Sequence, residues 1–127
     1  MNQQKVVFSF FMILALTLNF GFFYGEISVP DHHNVYELLA VVIVNIIATV
    51  LKLGDKSQVG AMLLATSLVA VVQLVAASII WTYVEHISGT GLSPLTMSTI
   101  VALSGGAMLA NVISVILLMI EVSRFGR

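Results

Sequence analysis

Few residues in this chain could do chemistry, and they fall into two groups. The first is a set of uncharged amides embedded in apolar sequence: Asn19, Asn45, Gln73 and Asn111, with Thr49 one turn after Asn45. An amide in hydrocarbon must find hydrogen-bond partners, so these side chains are expected to face protein or water, not lipid. They are then either glue between helices or the uncharged lining of a path for an ion or small polar solute. At helical spacing Asn45, Thr49 and Lys52 share one face, and Thr66, Ala70, Gln73 and Ala77 share another. Counted from the ends of the apolar runs, Asn45 and Gln73 lie at similar depth, Asn19 shallower and Asn111 deeper, so the amides do not form one ring.

The second group is acidic and imidazole: Glu26, Asp31, His32, His33, Glu37, Glu85 and His86. His32, His33, Glu85 and His86 are the residue types that ligate zinc and similar ions. His32 and His33 are adjacent, however, not one turn apart, and Glu85-His86 belongs to a different connection. The expectation is solvated loop residues and no metal site. Together Glu26, Asp31, Glu37 and Glu85 form an acidic rim that should concentrate cations within the reach of salt screening. The histidines could make it pH-sensitive near neutrality.

The elements that must position these groups are membrane helices. Of 127 residues, 59% are hydrophobic and 9% charged, against about 25% charged in a soluble domain. A water-soluble globule of this size would expose large apolar patches. The pattern predicts an all-α polytopic membrane protein, one transmembrane domain over 1–127, with four spans at about 6–24, 35–53, 59–84 and 95–120. Each is long enough to cross about 30 Å of hydrocarbon. Asp31 after Pro30 is expected to cap span two, and Gly54 to end it. Asp55–Gln58 is expected to cap span three, with Gln58 at the capping-box spacing. Pro94 after Ser93 is expected to open span four. Span one lacks a small-x-small site after Leu18 and is expected to be retained rather than cleaved.

All five basic residues, Lys5, Lys52, Lys56, Arg124 and Arg127, fall on one side of the four spans. The acids on that side are Asp55 and Glu121 alone. The positive-inside rule makes that side cytoplasmic, with both termini inside. Tyr24, Tyr36, Trp81 and Tyr83 fall at the opposite ends, where aromatic anchors belong. The hairpins also carry a partial match, Asn45-Ile-Ile-Ala48 against Asn111-Val-Ile-Ser114, which suggests a parallel repeat. In span four Ser98, Ala102, Gly106, Ala110 and Ser114 recur every fourth residue. Such a stripe lets another backbone approach closely, and a homo-oligomeric contact is the favoured expectation.

Several classes are excluded by composition. There is no cysteine, hence no thiolate metal site or disulfide framework. No phosphate-binding glycine loop, His-x-x-x-His pair or supported Ser/His/Asp set occurs, so neither an enzyme nor a cofactor is expected. Basic residues are too few for nucleic acid.

In size and span number the chain is similar to small multidrug-resistance transporters and bacterial fluoride channels. It departs from the first in lacking a glutamate within span one. It departs from the second in having Ala48 and Leu51 where glycines follow the Val-Asn motif, and in lacking their Thr-Thr-Phe-Ser segment. The stretch Tyr36-Glu-Leu-Leu…Val44-Asn45-Ile-Ile-Ala48-Thr49-Val-Leu-Lys52-Leu-Gly54-Asp55-Lys56, followed by Leu64-Ala-Thr66-Ser67-Leu-Val-Ala70, resembles an uncharacterised family of small bacterial inner-membrane proteins. That resemblance implies four spans and a bacterial inner membrane, and no function. The residues themselves lead to a small homo-oligomer that conducts, or supports the movement of, small cations. The alternative is a non-transporting accessory or scaffold subunit of a larger membrane complex.

Overall fold

The computed structural model describes residues 3–55 and 57–125, and for 124 and 125 the backbone alone. Lys56 and Arg127, and the side chain of Arg124, which carry part of the expected basic side, lie outside the described residues. Four helices make the fold: α1 (Gln3–Phe23), α2 (Val35–Lys52), α3 (Gln58–Thr82) and α4 (Pro94–Phe125). All four are long and apolar enough to cross a membrane. They agree with the expected spans to within a few residues, except that α4 runs on to Phe125, about 48 Å at 1.5 Å per residue.

The helices run up and down in a closed ring. α1 packs on α2 and α4, and α3 packs on α2 and α4. Large apolar side chains cover the outside: Phe10, Ile13, Phe20, Ile43, Val72, Leu109 and Ile116 are all exposed. This inverts the pattern of a soluble domain and suits lipid contact. Lys5, Lys52, Asp55 and Glu121 gather at one end of the bundle. Glu26, Asp31, Glu37 and Glu85 belong to the other, where exposed Tyr24, Tyr36 and Tyr83 also stand. These are called the basic and acidic ends below.

The helix boundaries follow local chemistry. Gly54 adopts φ +91° just past α2, which a side chain would strain, and so terminates the helix. Ser57 caps α3 by accepting from the Gly60 N–H at 3.0 Å. Gln58 is thus the first helical residue, and no capping box forms there. The Ser93 hydroxyl accepts from the Thr96 N–H at 3.1 Å, with Pro94 opening α4 as expected.

Asp31 does not cap α2. Pro30–His32 forms its own 3₁₀ turn, and Asn34 caps the helix by accepting from the Tyr36 N–H at 2.7 Å. The reason is proximity: Asn34 is extended and directly precedes the helix, whereas the turn and His33 separate Asp31 from it. The second connection differs. A π turn, Tyr83–Ile87, extends α3, closed by the Ser88 N–H donating to Tyr83 O at 2.8 Å.

Candidate functional site

The interior is layered. Toward the acidic end Phe22, Leu38, Leu74, Met97, Ile100 and Val101 form one apolar cluster, all fully buried. Toward the basic end Phe8, Met12, Ala48, Leu63 and Leu118 form a second. Between them lies a polar belt. Asn45, Ser67, Asn111 and Ser114 are buried there, and Asn19 and Ser104 continue it toward the acidic end.

The belt is built from helix α4 outward. Its buried residues include Met97, Val101, Ser104, Ala107, Asn111, Ser114, Leu118 and Glu121, steps of three and four, with Ile100 and Ala110 buried beside them. That is the spacing of a seam in a left-handed bundle. It places Ser104 and Asn111 opposite Asn19. The Asn19 carboxamide, oriented to satisfy its neighbours, donates to the Ser104 hydroxyl and carbonyl, each at 3.0 Å. Its oxygen accepts from the Met108 N–H at 3.0 Å and from Asn111 Nδ2 at 3.1 Å. One α1 side chain thus grips α4 at the peptide groups of Ser104 and Met108. Lower down, the Thr66 and Ser114 hydroxyls join α3 to α4.

The structure therefore brings Asn19 and Asn111 together, but not all the amides. Asn45 is buried yet donates to Val41 O of its own helix at 2.7 Å, and Thr49 donates to Asn45 O at 2.8 Å. Gln73 lies against Gly106, where an added Cβ would come within 2.5 Å of Gln73 Nε2. Three oxygens of the belt region, Ser67 Oγ, Gln73 Oε1 and Asn111 Oδ1, are buried and lack a donor. Nothing in the sequence reading singled out Ser104. Its signal was the three-and-four seam through Met97, Val101 and Asn111.

The four-residue stripe is not one face. A step of four residues turns about 400°, so five positions drift by about 160° around a helix. Ala110 and Ser114 are buried, Ser98 and Gly106 half-buried, and Ala102 exposed. Ala107 and Ala110 pack with Ala70 and Ala77, so small residues serve the α3–α4 contact within the chain.

At the acidic end His33 is buried, contrary to its expected place as a solvated loop residue. Its Nδ1 lies 2.6 Å from Phe22 O and its Nε2 2.8 Å from Glu26 O, so neither nitrogen is turned toward a metal. His32 is exposed and accepts from the Glu26 N–H through Nδ1 at 2.9 Å. Glu37 lies over α1, its carboxylate against Gly21, where an added Cβ would fall within 2.6 Å of it. Asp31 is exposed, and so are Glu85 and His86 on the second connection. Among the described residues no three His, Asp or Glu side chains converge to hold a metal. A shallow cleft of about 750 Å³ is lined by Phe20, Phe23, Tyr24, Gly25, Glu26 and His32.

At the basic end, a crevice of about 300 Å³ brings Lys5, Lys52, Asp55 and Glu121 together. Lys5 Nζ lies 3.8 Å from Glu121, and Lys52 Nζ donates to Asp55 at 3.0 Å while lying 4.5 Å over the Phe8 ring. Asp55 also accepts from the Ser57 N–H at 3.0 Å and hydroxyl at 2.8 Å. These two bonds, then Lys52, hold its carboxyl down at about 2, from an ordinary 3.8.

Four apolar helices in an up-and-down ring, apolar outside and polar at mid-depth, define a small multi-pass membrane protein. The chain belongs to the family of unknown function DUF6394, which it matches over residues 32–122, from the end of the first connection through most of α4. No curated protein and no solved structure matches it.

Proposed function

We propose that this protein is a non-transporting accessory or scaffold subunit of a larger membrane assembly, and not an enzyme. One observation carries the reading: the belt's hydrogen bonds are made within the bundle, between helices or along one, and the belt is closed at both ends by packed apolar side chains. Asn19 uses both ends of its amide on α4, and Asn45 and Thr49 bond within α2. Phe22, Leu38, Met97 and Ile100 fill the interior on one side, Phe8, Met12 and Leu63 on the other. A conducting path needs lining groups turned toward water, and groups bonded to the bundle's own backbone do not supply it.

The second reading, cation movement through a homo-oligomer, draws support from Ser67 Oγ, Gln73 Oε1 and Asn111 Oδ1. Buried oxygens without donors suit a cation or water. We place the protein in a bacterial inner membrane with the basic end cytoplasmic, as the one-sided lysines and arginines suggest. A duplicated hairpin is supported by the equal burial of Asn45 and Ala48 with Asn111 and Ser114.

The test is K⁺ and Na⁺ flux into liposomes holding folded protein. We expect flux no greater than in protein-free liposomes. Flux above that level, falling in Asn45→Leu at unchanged oligomer size, would overturn the accessory reading.

A further inference from the structure

We propose that His33 is a proton-binding site that clasps the acidic end of the bundle, holding its proton between two backbone carbonyls and loosening the first connection when the proton leaves. A carbonyl oxygen only accepts. His33 Nδ1 faces Phe22 O at 2.6 Å, and Nε2 faces Glu26 O at 2.8 Å. Both nitrogens must carry hydrogen to satisfy this arrangement, and only the imidazolium has two N–H groups. A neutral ring keeps one bond and turns a lone pair on the other carbonyl at hydrogen-bonding distance. The shorter contact is to Phe22, so Glu26 is the side that opens. Glu26 O also accepts from the Val29 N–H at 3.2 Å, so it is not orphaned when the ring lets go.

The surroundings fit a cation. Phe22 lies in the last turn of α1, whose unpaired carbonyls favour positive charge. Glu26 and Asp31 belong to the same connection, and the Glu37 carboxylate from α2 lies over Gly21, next to Phe22. His32 engages Glu26 N–H through Nδ1. From α3 the neighbour is Trp81, whose ring lies 6.3 Å from the Phe22 ring; Tyr83, Glu85 and His86 beyond it are exposed. Two features disfavour positive charge: the burial of His33 and the start of α2 right after it.

The clasp has a structural target. The Phe22 ring is fully buried in the apolar cluster at this end and lies 5.5 Å from the His33 ring. The proton therefore ties the connection to the plug of the bundle. This role is independent of whether the chain moves cations.

The experiment uses the full chain in lipid nanodiscs, labelled with ¹⁵N-histidine and titrated between about pH 5.5 and 8. Ring-nitrogen spectra, assigned with His33→Gln, His32→Gln and His86→Gln, follow each proton. Backbone amide exchange, corrected for intrinsic rate, follows residues 26–33. We expect both His33 nitrogens protonated at the acid end. Exchange in 26–33 should rise about tenfold as one proton leaves, the loss of one hydrogen bond to a charged group. His32→Gln and His86→Gln should retain that rise, and His33→Gln should exchange fast throughout. A His33 ring with only one protonated nitrogen at pH 5.5 would overturn the proposal. So would exchange that ignores its titration in the wild-type chain.

Discussion

Replacing Asn19 by leucine separates glue from lining. Leucine keeps the branch of asparagine at Cγ, with two methyl groups in place of the amide oxygen and nitrogen, so the change removes the hydrogen bonds and adds only modest bulk. Asn19 makes four contacts to α4: the Ser104 hydroxyl and carbonyl, the Met108 N–H and Asn111 Nδ2. Interhelical hydrogen bonds in membranes average about 0.6 kcal/mol, so four set a loss of about 2 kcal/mol. The Asn111 Nδ2 left behind is the part that makes the loss large, since an unsatisfied buried donor costs about 1–3 kcal/mol. The second variant follows from this. Asn111→Leu removes that stranded group, so Asn19→Leu with Asn111→Leu should lose less than the two single losses together, with a coupling of about 1 kcal/mol. The assay is reversible unfolding in mixed micelles of rising SDS fraction, read by far-UV circular dichroism. Strict additivity would refute the contact, and an Asn19→Leu chain as stable as wild type would refute the glue reading altogether. Asn45→Leu is the internal control. Its bond is to its own helix, so its loss should stay below about 1 kcal/mol.

Gly106→Leu should destabilise the monomeric bundle by about 1–3 kcal/mol, because the new side chain meets Gln73 within the α3–α4 contact. Unfolding in SDS reads this, and a change confined to oligomer size would refute it. Asp55 should make stability acid-sensitive. Its carboxyl is held at about 2 against 3.8 when unfolded, so the stabilisation is complete above pH 3.8 and is lost as pH falls toward 2. Asp55→Asn should flatten that limb of a thermal-melt profile in detergent, and an unchanged acid limb would count against the Ser57 and Lys52 bonds as its origin.

The fold was legible because hydrocarbon leaves so few choices. A run of about 20 apolar residues can only be a spanning helix, and Gly54 and Pro94 mark boundaries that backbone sterics impose whatever surrounds them. Caps were less legible, because several polar residues compete within a few positions. Asn34 displaced Asp31, and within the expected Asp55–Gln58 stretch it is Ser57 that caps α3, without the box that Gln58 would have closed. The site was legible by residue type and not by partner. The amides were conspicuous in apolar sequence, but which of them meet depends on the phase of α4. That phase follows the seam through Val101, Ser104 and Asn111, not the four-residue stripe through Ala102 and Gly106. His33 carried no signal of burial. Its environment is made by carbonyls of Phe22 and Glu26, and backbone groups have no signature in residue type.

These features bear jointly on what the molecule can do. With lipid outside, apolar burial gives the helices little reason to associate, so contact between them must come from close packing and polar bonds. The chain supplies the first with Ala70, Ala77, Ala107 and Ala110, and the second with Asn19, Ser104, Asn111, Thr66 and Ser114. A group engaged in this way is costly to turn toward a passing ion, because each departure leaves a partner unsatisfied in a medium without water. In the belt region the polar atoms still open to such a role are Ser67 Oγ, Gln73 Oε1 and Asn111 Oδ1. Of these, Asn111 is held in place by its Nδ2 bond to Asn19. A path for cations that used Asn111 would therefore respond to Asn19, so the same pair of substitutions bears on both stability and flux.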